Sequence, residues 1–167
     1  MGLGLCSLSL ERHPCGRSPG TERETILYWM PDQPPYPTEP RIAIVDDDQP
    51  VREALQRMLR SHGFATTVFA SAEQFLAGPG PTRTSCLILD VRMPGMTGLA
   101  LHQHLVSQGC RIPTILITAC PTSAERERAV ASGASYLAKP LGERVLLDAV
   151  RDVLARGEQA AAEGLPR

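Results

Sequence analysis

Aromatic residues, long apolar runs and paired cysteines are scarce in this 167-residue chain, and each scarcity argues against a class of protein. Only 4% of the residues are aromatic, which argues against a platform of stacked rings for single-stranded nucleic acid. No apolar run approaches the roughly 18 residues that cross a bilayer. The five cysteines contain no CxxC pair, which favours free thiols in a reducing cytoplasm, and Cys86 opens an apolar run as a buried thiol would.

A strong charge of either sign is also missing. The formal net charge is -1, which gives no general attraction to nucleic acid or to anionic lipid. The hydrophobic fraction of 43% and the charged fraction of 21% are typical of a soluble globular protein. At this length we expect one domain with tails, and we predict no direct nucleic-acid partner and no membrane partner.

The first 40 residues show no sustained hydrophobic period, and the segment MPDQPPYPTEPR carries five prolines. We interpret residues 1–40 as a disordered N-terminal extension, with Met30 as an alternative start. A signal peptide or lipid anchor is an alternative, but the segment lacks a cationic start. Three potential metal ligands also lie there, Cys6, His13 and Cys15. Their spacing fits no standard zinc knuckle.

From Arg41 onward, short apolar runs alternate five times with segments of helical period. Continuous apolar runs such as IAIV, LIL and ILI are typical of parallel strands that helices cover on both faces. The pattern predicts an α/β fold over residues 41–156, a (βα)5 three-layer sandwich with a parallel five-stranded sheet. The last predicted helix, ERVLLDAVRDVLARG, ends at Gly157, and residues 157–167 are predicted to form a C-terminal tail.

Polar side chains follow four of the five predicted strands. They are Asp46, Asp47 and Asp48 after the first strand, Asp90 after the third, Thr118 after the fourth and Lys139 after the fifth. In a parallel sheet these strand ends share one edge. Crowded carboxylates repel one another unless a cation lies among them, and Mg²⁺ suits oxygen ligands. Because an ammonium and a hydroxyl suit phosphate oxygens, we predict a one-phosphate pocket in which Asp90 attacks phosphorus.

Each of these residues also has a plain structural interpretation. The run DDDQP can serve only to cap a helix, Thr118 can be an ordinary strand residue, and Lys139 can be a solvated strand end. Their joint placement at strand ends favours the functional interpretation. His102 and His104 lie two apart on a helix and cannot share a face, so we predict surface histidines there.

The chain resembles the response-regulator receiver domains of two-component systems, the CheY-like family, and within it the FixJ-like group. The resemblance lies in IAIVDDDQPVREALQRMLRSHGF, VFASAEQFLA, LILDVRMPGMTGLAL, PTILITA and YLAKP, in that order. The combination of DVRMPGMTG with VDDD upstream and with TA and KP downstream is specific. The resemblance covers residues 41–156 and implies a CheY-like, or flavodoxin-like, fold.

The resemblance also implies roles for residues around the phosphate pocket. Asp90 resembles the phosphoacceptor of the family. Asp46 and Asp47 resemble the acidic pair that holds Mg²⁺ together with Asp90, and the backbone carbonyl of Arg92 resembles a further ligand. Lys139 resembles the phosphate partner.

A second set of implied roles concerns signalling. Thr118 resembles the switch hydroxyl and Tyr136 the aromatic switch, and together they alter the face of the fourth helix, fifth strand and fifth helix. The resemblance implies a phosphorelay protein rather than an enzyme. Its implied partners are a sensor histidine kinase, a downstream protein target and, on phosphorylation, a second copy of the chain.

Two alternatives remain open. A phosphatase similar to the haloacid dehalogenase group would use Asp46 as nucleophile and Asp48 as general acid, but Pro50 stands where that group has Thr or Val. A DNA-binding regulator is the common form of FixJ-like proteins. Because the residues after Gly157 are too few for a helix-turn-helix, we favour a stand-alone receiver over the receiver of a truncated regulator.

Overall fold

The computed structural model describes residues 40–162 of the chain. Several predictions lie outside the described residues. They are the N-terminal extension up to residue 39, the alternative start at Met30, the signal peptide, the three potential metal ligands near the N-terminus, and residues 163–167 of the predicted tail.

Strands and helices alternate throughout the described residues. The strands are β1 (Arg41–Val45), β2 (Ala65–Phe69), β3 (Cys86–Asp90), β4 (Thr114–Thr118) and β5 (Ser135–Ala138). The α-helices are α1 (Gln49–Ser61), α2 (Ala72–Ala77), α3 (Gly98–Ser107), α4 (Ser123–Ala131) and α5 (Glu143–Ala162), with a 3-10 helix at Pro81–Arg83. All paired strands are parallel, in the order β2-β1-β3-β4-β5. The predicted (βα)5 arrangement is confirmed.

Local sequence determines where the first four helices begin. Each follows a residue whose side chain accepts a backbone N–H three positions further on, and these N-cap residues are Asp48, Ser71, Thr97 and Thr122. Gly63, with φ +85°, ends α1 in the left-handed conformation that glycine adopts readily. The caps thus determine the residue at which each helix begins after the loop that follows a strand.

Two apolar clusters fill the space on either side of the sheet. Alternate strand residues such as Ile42 and Ile44 pack with Leu59 of α1 and with the buried face of α5. Their neighbours point the other way, and Val45 packs in the cluster that contains α2, α3 and α4 residues. Helices therefore cover both faces, which confirms the three-layer sandwich. Cys86 is fully buried as predicted, and burial raises the pKa of its thiol to about 12.

Helix α5 continues past Gly157 to Ala162, so the helix end predicted at Gly157 is wrong. A Cβ on Gly157 would lie 2.9 Å from Cγ of Pro113, and the glycine lets the helix pass close to that ring. An interior glycine costs a helix about 1 kcal/mol, and the EQAAA segment that follows offsets this with strong helix formers. The first residues of the predicted tail therefore belong to α5.

The prediction of a surface histidine at position 102 is also wrong. His102 is only 3% exposed, on the same side of α3 as Leu101 and Leu105, and its Nε2 lies 3.2 Å from the backbone carbonyl of Ser132. Burial lowers the pKa of the imidazole, so the ring is neutral and donates Nε2–H to that carbonyl. His104 is exposed, as predicted. Within residues 40–162, none of the helices combines the length and the apolar character needed to cross a membrane.

Candidate phosphate and metal site

Two buried carboxylates and one ammonium meet at the carboxyl ends of β1, β3 and β5. The Lys139 Nζ lies 2.6 Å from Oδ1 of Asp90 and 3.1 Å from Oδ2 of Asp46. The Asp46 and Asp90 side chains are 4% and 7% exposed, whereas Lys139 is 24% exposed. Three residues that are far apart in sequence thus form one charged cluster at the predicted edge of the sheet.

Burial and pairing shift the pKa values within this cluster. Burial raises the pKa of the Asp46 carboxyl, and the hydrogen bonds from the Asp48 amide and from Lys139 oppose that rise only in part. Burial alone lowers the pKa of the Lys139 ammonium, but its hydrogen bonds to Asp90 and Asp46, with their charges, raise it on balance. Lys139 is therefore a permanent cation at neutral pH.

The backbone after β3 holds Asp90 from the other side. The backbone N–H of Arg92 donates to Oδ2 of Asp90 at 2.6 Å, while Oδ1 accepts from Lys139. Gly98, the first residue of α3, lies so close that a Cβ there would clash with the backbone carbonyl oxygen of Asp90. Glycine at position 98 lets α3 begin directly against the strand end that carries Asp90.

The loop between β3 and α3 is also tied to α2. Oε1 of Glu73 accepts the backbone N–H of Met96 at 3.1 Å, and Gly95 beside it has φ +73°. Hydrogen bonds from its own backbone N–H, from the Ser71 hydroxyl and from the Met96 amide lower the pKa of the Glu73 carboxyl. The hydrogen bond by which the Glu73 carboxylate holds this loop was not predicted from the sequence.

Thr118 ends β4 with its side chain fully buried. Its hydroxyl oxygen accepts the backbone N–H of Cys120 at 3.3 Å, and its carbonyl accepts the backbone N–H of Lys139 at 2.7 Å. The second bond fixes the end of β4 to the lysine that reaches Asp90. The hydroxyl proton of Thr118 has no partner among the residues that the structure describes.

The three aspartates of the DDD run have different surroundings. Asp46 is buried, whereas Asp47 is exposed, and its side chain makes no hydrogen bond or ion pair within the described part of the chain. Asp48 caps α1 by accepting the Val51 N–H at 3.4 Å, which argues against its role as a general acid. Arg52, which the sequence did not single out, donates to the backbone carbonyl of Asp46 at 2.6 Å.

A further carboxylate, missed in the sequence, connects the site to β5. Glu125, in the first turn of α4, lies 3.5 Å from the guanidinium of Arg92 through Oε1. Its Oε2 accepts the Tyr136 hydroxyl at 3.4 Å and the Thr122 hydroxyl at 2.9 Å. Tyr136 is only 7% exposed. The predicted aromatic switch residue thus reaches the loop after Asp90 through a single side chain.

The residues at the edge fit a hard divalent cation. No group of three or more His, Cys, Asp or Glu side chains suited to a metal occurs among residues 40–162. Mg²⁺ does not need such a cage, because one or two carboxylates with several waters are sufficient. The two buried carboxylates, Asp46 and Asp90, share one ammonium, so the edge keeps an excess negative charge. The nearby ligands are oxygen atoms, the donor type that Mg²⁺ prefers.

Comparisons with known proteins identify the family to which the chain belongs. The family described as response regulator receiver domain matches residues 42–151. The response regulator protein TmoT of Ectopseudomonas mendocina is 41% identical over 153 residues, which cover 90% of this chain and 63% of TmoT. The transcriptional regulatory protein FixJ of Rhizobium meliloti (strain 1021) is 37% identical over 114 residues, which cover 68% of this chain and 56% of FixJ.

Solved structures give the same result. The response regulator StyR superimposes with a TM-score of 0.68 at 38% identity, over 75% of this chain and 64% of StyR. The structure of FixJ-N gives a TM-score of 0.65 at 34% identity, over 71% of this chain and 95% of FixJ-N. The chain spans less than two thirds of the length of either curated relative, TmoT or FixJ. Its sequence and fold place this chain in the family of response regulator receiver domains, the receivers of two-component signal transduction.

Proposed function

We propose that this receiver accepts one phosphoryl group on Asp90 from the phosphohistidine of a sensor histidine kinase. The observation that carries the proposal is the position of Lys139, whose ammonium lies 2.6 Å from Oδ1 of a buried aspartate at a strand end. A fixed cation beside a buried carboxylate suits the transfer of a dianionic group to that carboxylate. In this proposal the chain is a signalling protein that is modified, rather than an enzyme with a turned-over substrate.

In the transfer, an Asp90 carboxylate oxygen attacks phosphorus. A P–O bond forms as the P–N bond to the donor imidazole breaks, and the departing imidazole nitrogen takes a proton from solvent. Lys139 stabilises the negative charge on the phosphoryl oxygens, and the free hydroxyl proton of Thr118 can be donated to one of them. The Arg92 amide holds the second carboxylate oxygen and so orients Asp90 for attack.

We infer that Mg²⁺ is bound by Asp46, Asp47 and Asp90, with the carbonyl of Arg92 as a further ligand. The excess negative charge at the edge and its oxygen ligands support this. When bound, the cation neutralises charge on the entering phosphoryl group. Arg52 contributes indirectly, because its hydrogen bond to the Asp46 carbonyl fixes the backbone from which Asp46 and Asp47 project.

Intact-mass measurement after incubation with acetyl phosphate and Mg²⁺ tests the proposal. We expect the wild type to gain one base-labile phosphoryl group and Asp90→Asn to gain none. Asp48→Asn is the matched control, because it removes a charge from the same edge but keeps an N-cap residue, and it should be labelled like the wild type. Labelling of Asp90→Asn at another residue, or a folded wild type that gains no mass, would refute the assignment.

The proposed output is the binding of a downstream protein target in the cytoplasm, through the face of α4, β5 and α5. This face includes two exposed valines, Val130 at 63% and Val145 at 53%. A homodimer formed on phosphorylation would use the same face. The free thiols of Cys86, Cys110 and Cys120 support a reducing compartment.

A second candidate is that the receiver controls a DNA-binding output. It is favoured by the greater length of the curated relatives and by the name of FixJ, a transcriptional regulatory protein. The two candidates differ in what the phosphorylated chain regulates, and a promoter-binding assay on the protein encoded by the complete reading frame separates them. Binding of a promoter fragment that increases after phosphorylation would establish the second candidate.

A further inference from the structure

One carboxylate connects the loop after Asp90 with Tyr136. Oε1 of Glu125 lies 3.5 Å from the Arg92 guanidinium, and Oε2 accepts the Tyr136 hydroxyl at 3.4 Å. Because a carboxylate is a planar, rigid group, its two oxygens move together. A movement of the Arg92 guanidinium therefore changes the surroundings of the carboxylate that accepts the Tyr136 hydroxyl.

Glu125 is the anchored member of this set. Its backbone N–H donates to the Thr122 hydroxyl oxygen at 3.2 Å, and the Thr122 hydroxyl donates back to Oε2 at 2.9 Å. This reciprocal pair joins the N-cap of α4 to the residue three positions on. The Glu125 side chain is 23% exposed and the Arg92 side chain is 56% exposed, so Arg92 is the freer partner.

Arg92 is also the member nearest to the proposed chemistry. It follows Asp90 by two residues, and its backbone N–H already donates to Oδ2 of Asp90 at 2.6 Å. A phosphoryl group on an aspartate adds negative charge and acceptor oxygens, which arginine side chains bind well. Such a group on Asp90 competes with Glu125 for the guanidinium of Arg92.

We propose that Glu125 is a positioning residue that transmits the charge at Asp90 to Tyr136, with Arg92 as the link. The inference rests on the proposed function, because the phosphoryl group on Asp90 supplies the charge. When Arg92 turns toward that group, the Glu125 carboxylate loses its cation and becomes a stronger acceptor for the Tyr136 hydroxyl. Phosphorylation thus strengthens the hydrogen bond between Tyr136 of β5 and Glu125 of α4.

Fluorine NMR of protein labelled with 3-fluorotyrosine tests this coupling. The chain has three tyrosines, and the signal of Tyr136 is assigned from its loss in Tyr136→Phe. We expect the Tyr136 signal of the wild type to shift when acetyl phosphate and Mg²⁺ are added. Glu125→Gln should lose most of this shift, although its intact mass shows complete phosphorylation.

Glu127→Gln is the matched control for this experiment. Glu127 lies on the same helix, is exposed and has no hydrogen bond or ion pair within the described residues, so the variant should keep the wild-type shift. Arg92→Gln breaks the same link from an exposed position and should lose as much of the shift as Glu125→Gln. Combining Arg92→Gln with Glu125→Gln should cause no further loss.

The possible failures have different meanings. A phosphorylated Glu125→Gln with the full wild-type shift would overturn the coupling and leave the proposed function intact. A role of Glu125 in stability alone would change the Tyr136 signal equally before and after phosphorylation, so the shift would persist and the coupling would be refuted. A wild type that gains no phosphoryl mass would refute the proposed function and the coupling with it.

Discussion

The carboxyl edge and the amino edge of the sheet bury titratable side chains in opposite ways. At the carboxyl edge, Asp46 and Asp90 are buried beside the Lys139 ammonium, and charge is retained by pairing. Toward the amino edge, where β5 begins, His102 is buried against the Ser132 carbonyl with a lowered pKa, and charge is avoided. A neutral ring needs only one acceptor, whereas paired ions keep a strong local field. The fold thus concentrates charge at the edge where we place the chemistry.

Replacing one glycine at each edge by alanine should give the largest difference in the free energy of unfolding. Gly98→Ala places a methyl group against the Asp90 carbonyl oxygen, and backbone atoms cannot move aside, so we expect a loss of about 3 kcal/mol in the free energy of unfolding. Gly157→Ala meets only the ring of Pro113 and gains helix propensity of about 1 kcal/mol, which offsets the crowding. Urea unfolding of both variants measures the difference. Equal losses in the free energy of unfolding would show that the contacts of Gly98 and Gly157 tolerate a methyl group equally well.

Removal of the ammonium should be the next largest effect. Lys139→Met leaves two buried carboxylates without their cation, and we expect a loss of about 2 kcal/mol at pH 7, less than for a fully buried pair because Lys139 is partly exposed. Arg144→Met, the control, removes a cation whose side chain is 95% exposed in its pair with Asp148, and should change stability little. Addition of Asp46→Asn should restore part of the loss in Lys139→Met. A Lys139→Met variant as stable as the wild type would contradict the claim that pairing with Lys139 stabilises the buried charges of Asp46 and Asp90.

The difference between the edges also explains what the sequence could predict. Asp90 and Lys139 were identified because apolar runs locate strand ends, and parallel topology brings strand ends to one edge. The burial of His102 was missed because its polarity indicated exposure, although Leu99 and Leu105, three residues away on either side, lie on the same face of α3. Glu125 and Arg52 were missed for another reason. They act through long side chains that cross between elements, and the hydrophobic period contains no information about rotamers.

The pH dependence of stability tests the amino edge. Because the native pKa of His102 is lowered, the unfolded state binds the proton more tightly, and stability falls as pH drops below the ordinary histidine pKa of about 6.5. His102→Gln should flatten the decline in unfolding free energy between pH 7 and pH 5, where each unit of lowered pKa is worth about 1.4 kcal/mol. His104→Gln, on the exposed side of the same helix, should keep the wild-type slope. Identical slopes in all three proteins would mean that the pKa of His102 is the same in the folded and unfolded states, which would contradict the effect of its burial.

The smallest expected effect concerns an exposed contact at the carboxyl edge, the hydrogen bond from the Met96 amide to Glu73. The Glu73 pKa is lowered in the folded state, so the contact is complete above the ordinary glutamate pKa of about 4.5 and is lost as pH falls through the native value. Glu73→Ala should speed hydrogen exchange of the Met96 amide at neutral pH with little change in global stability. Glu53→Ala, an exposed carboxylate on α1, should leave that exchange unchanged. If Met96 stays equally protected in Glu73→Ala, the loop is held by its backbone and by Gly98 alone, and its geometry around Asp90 does not depend on α2.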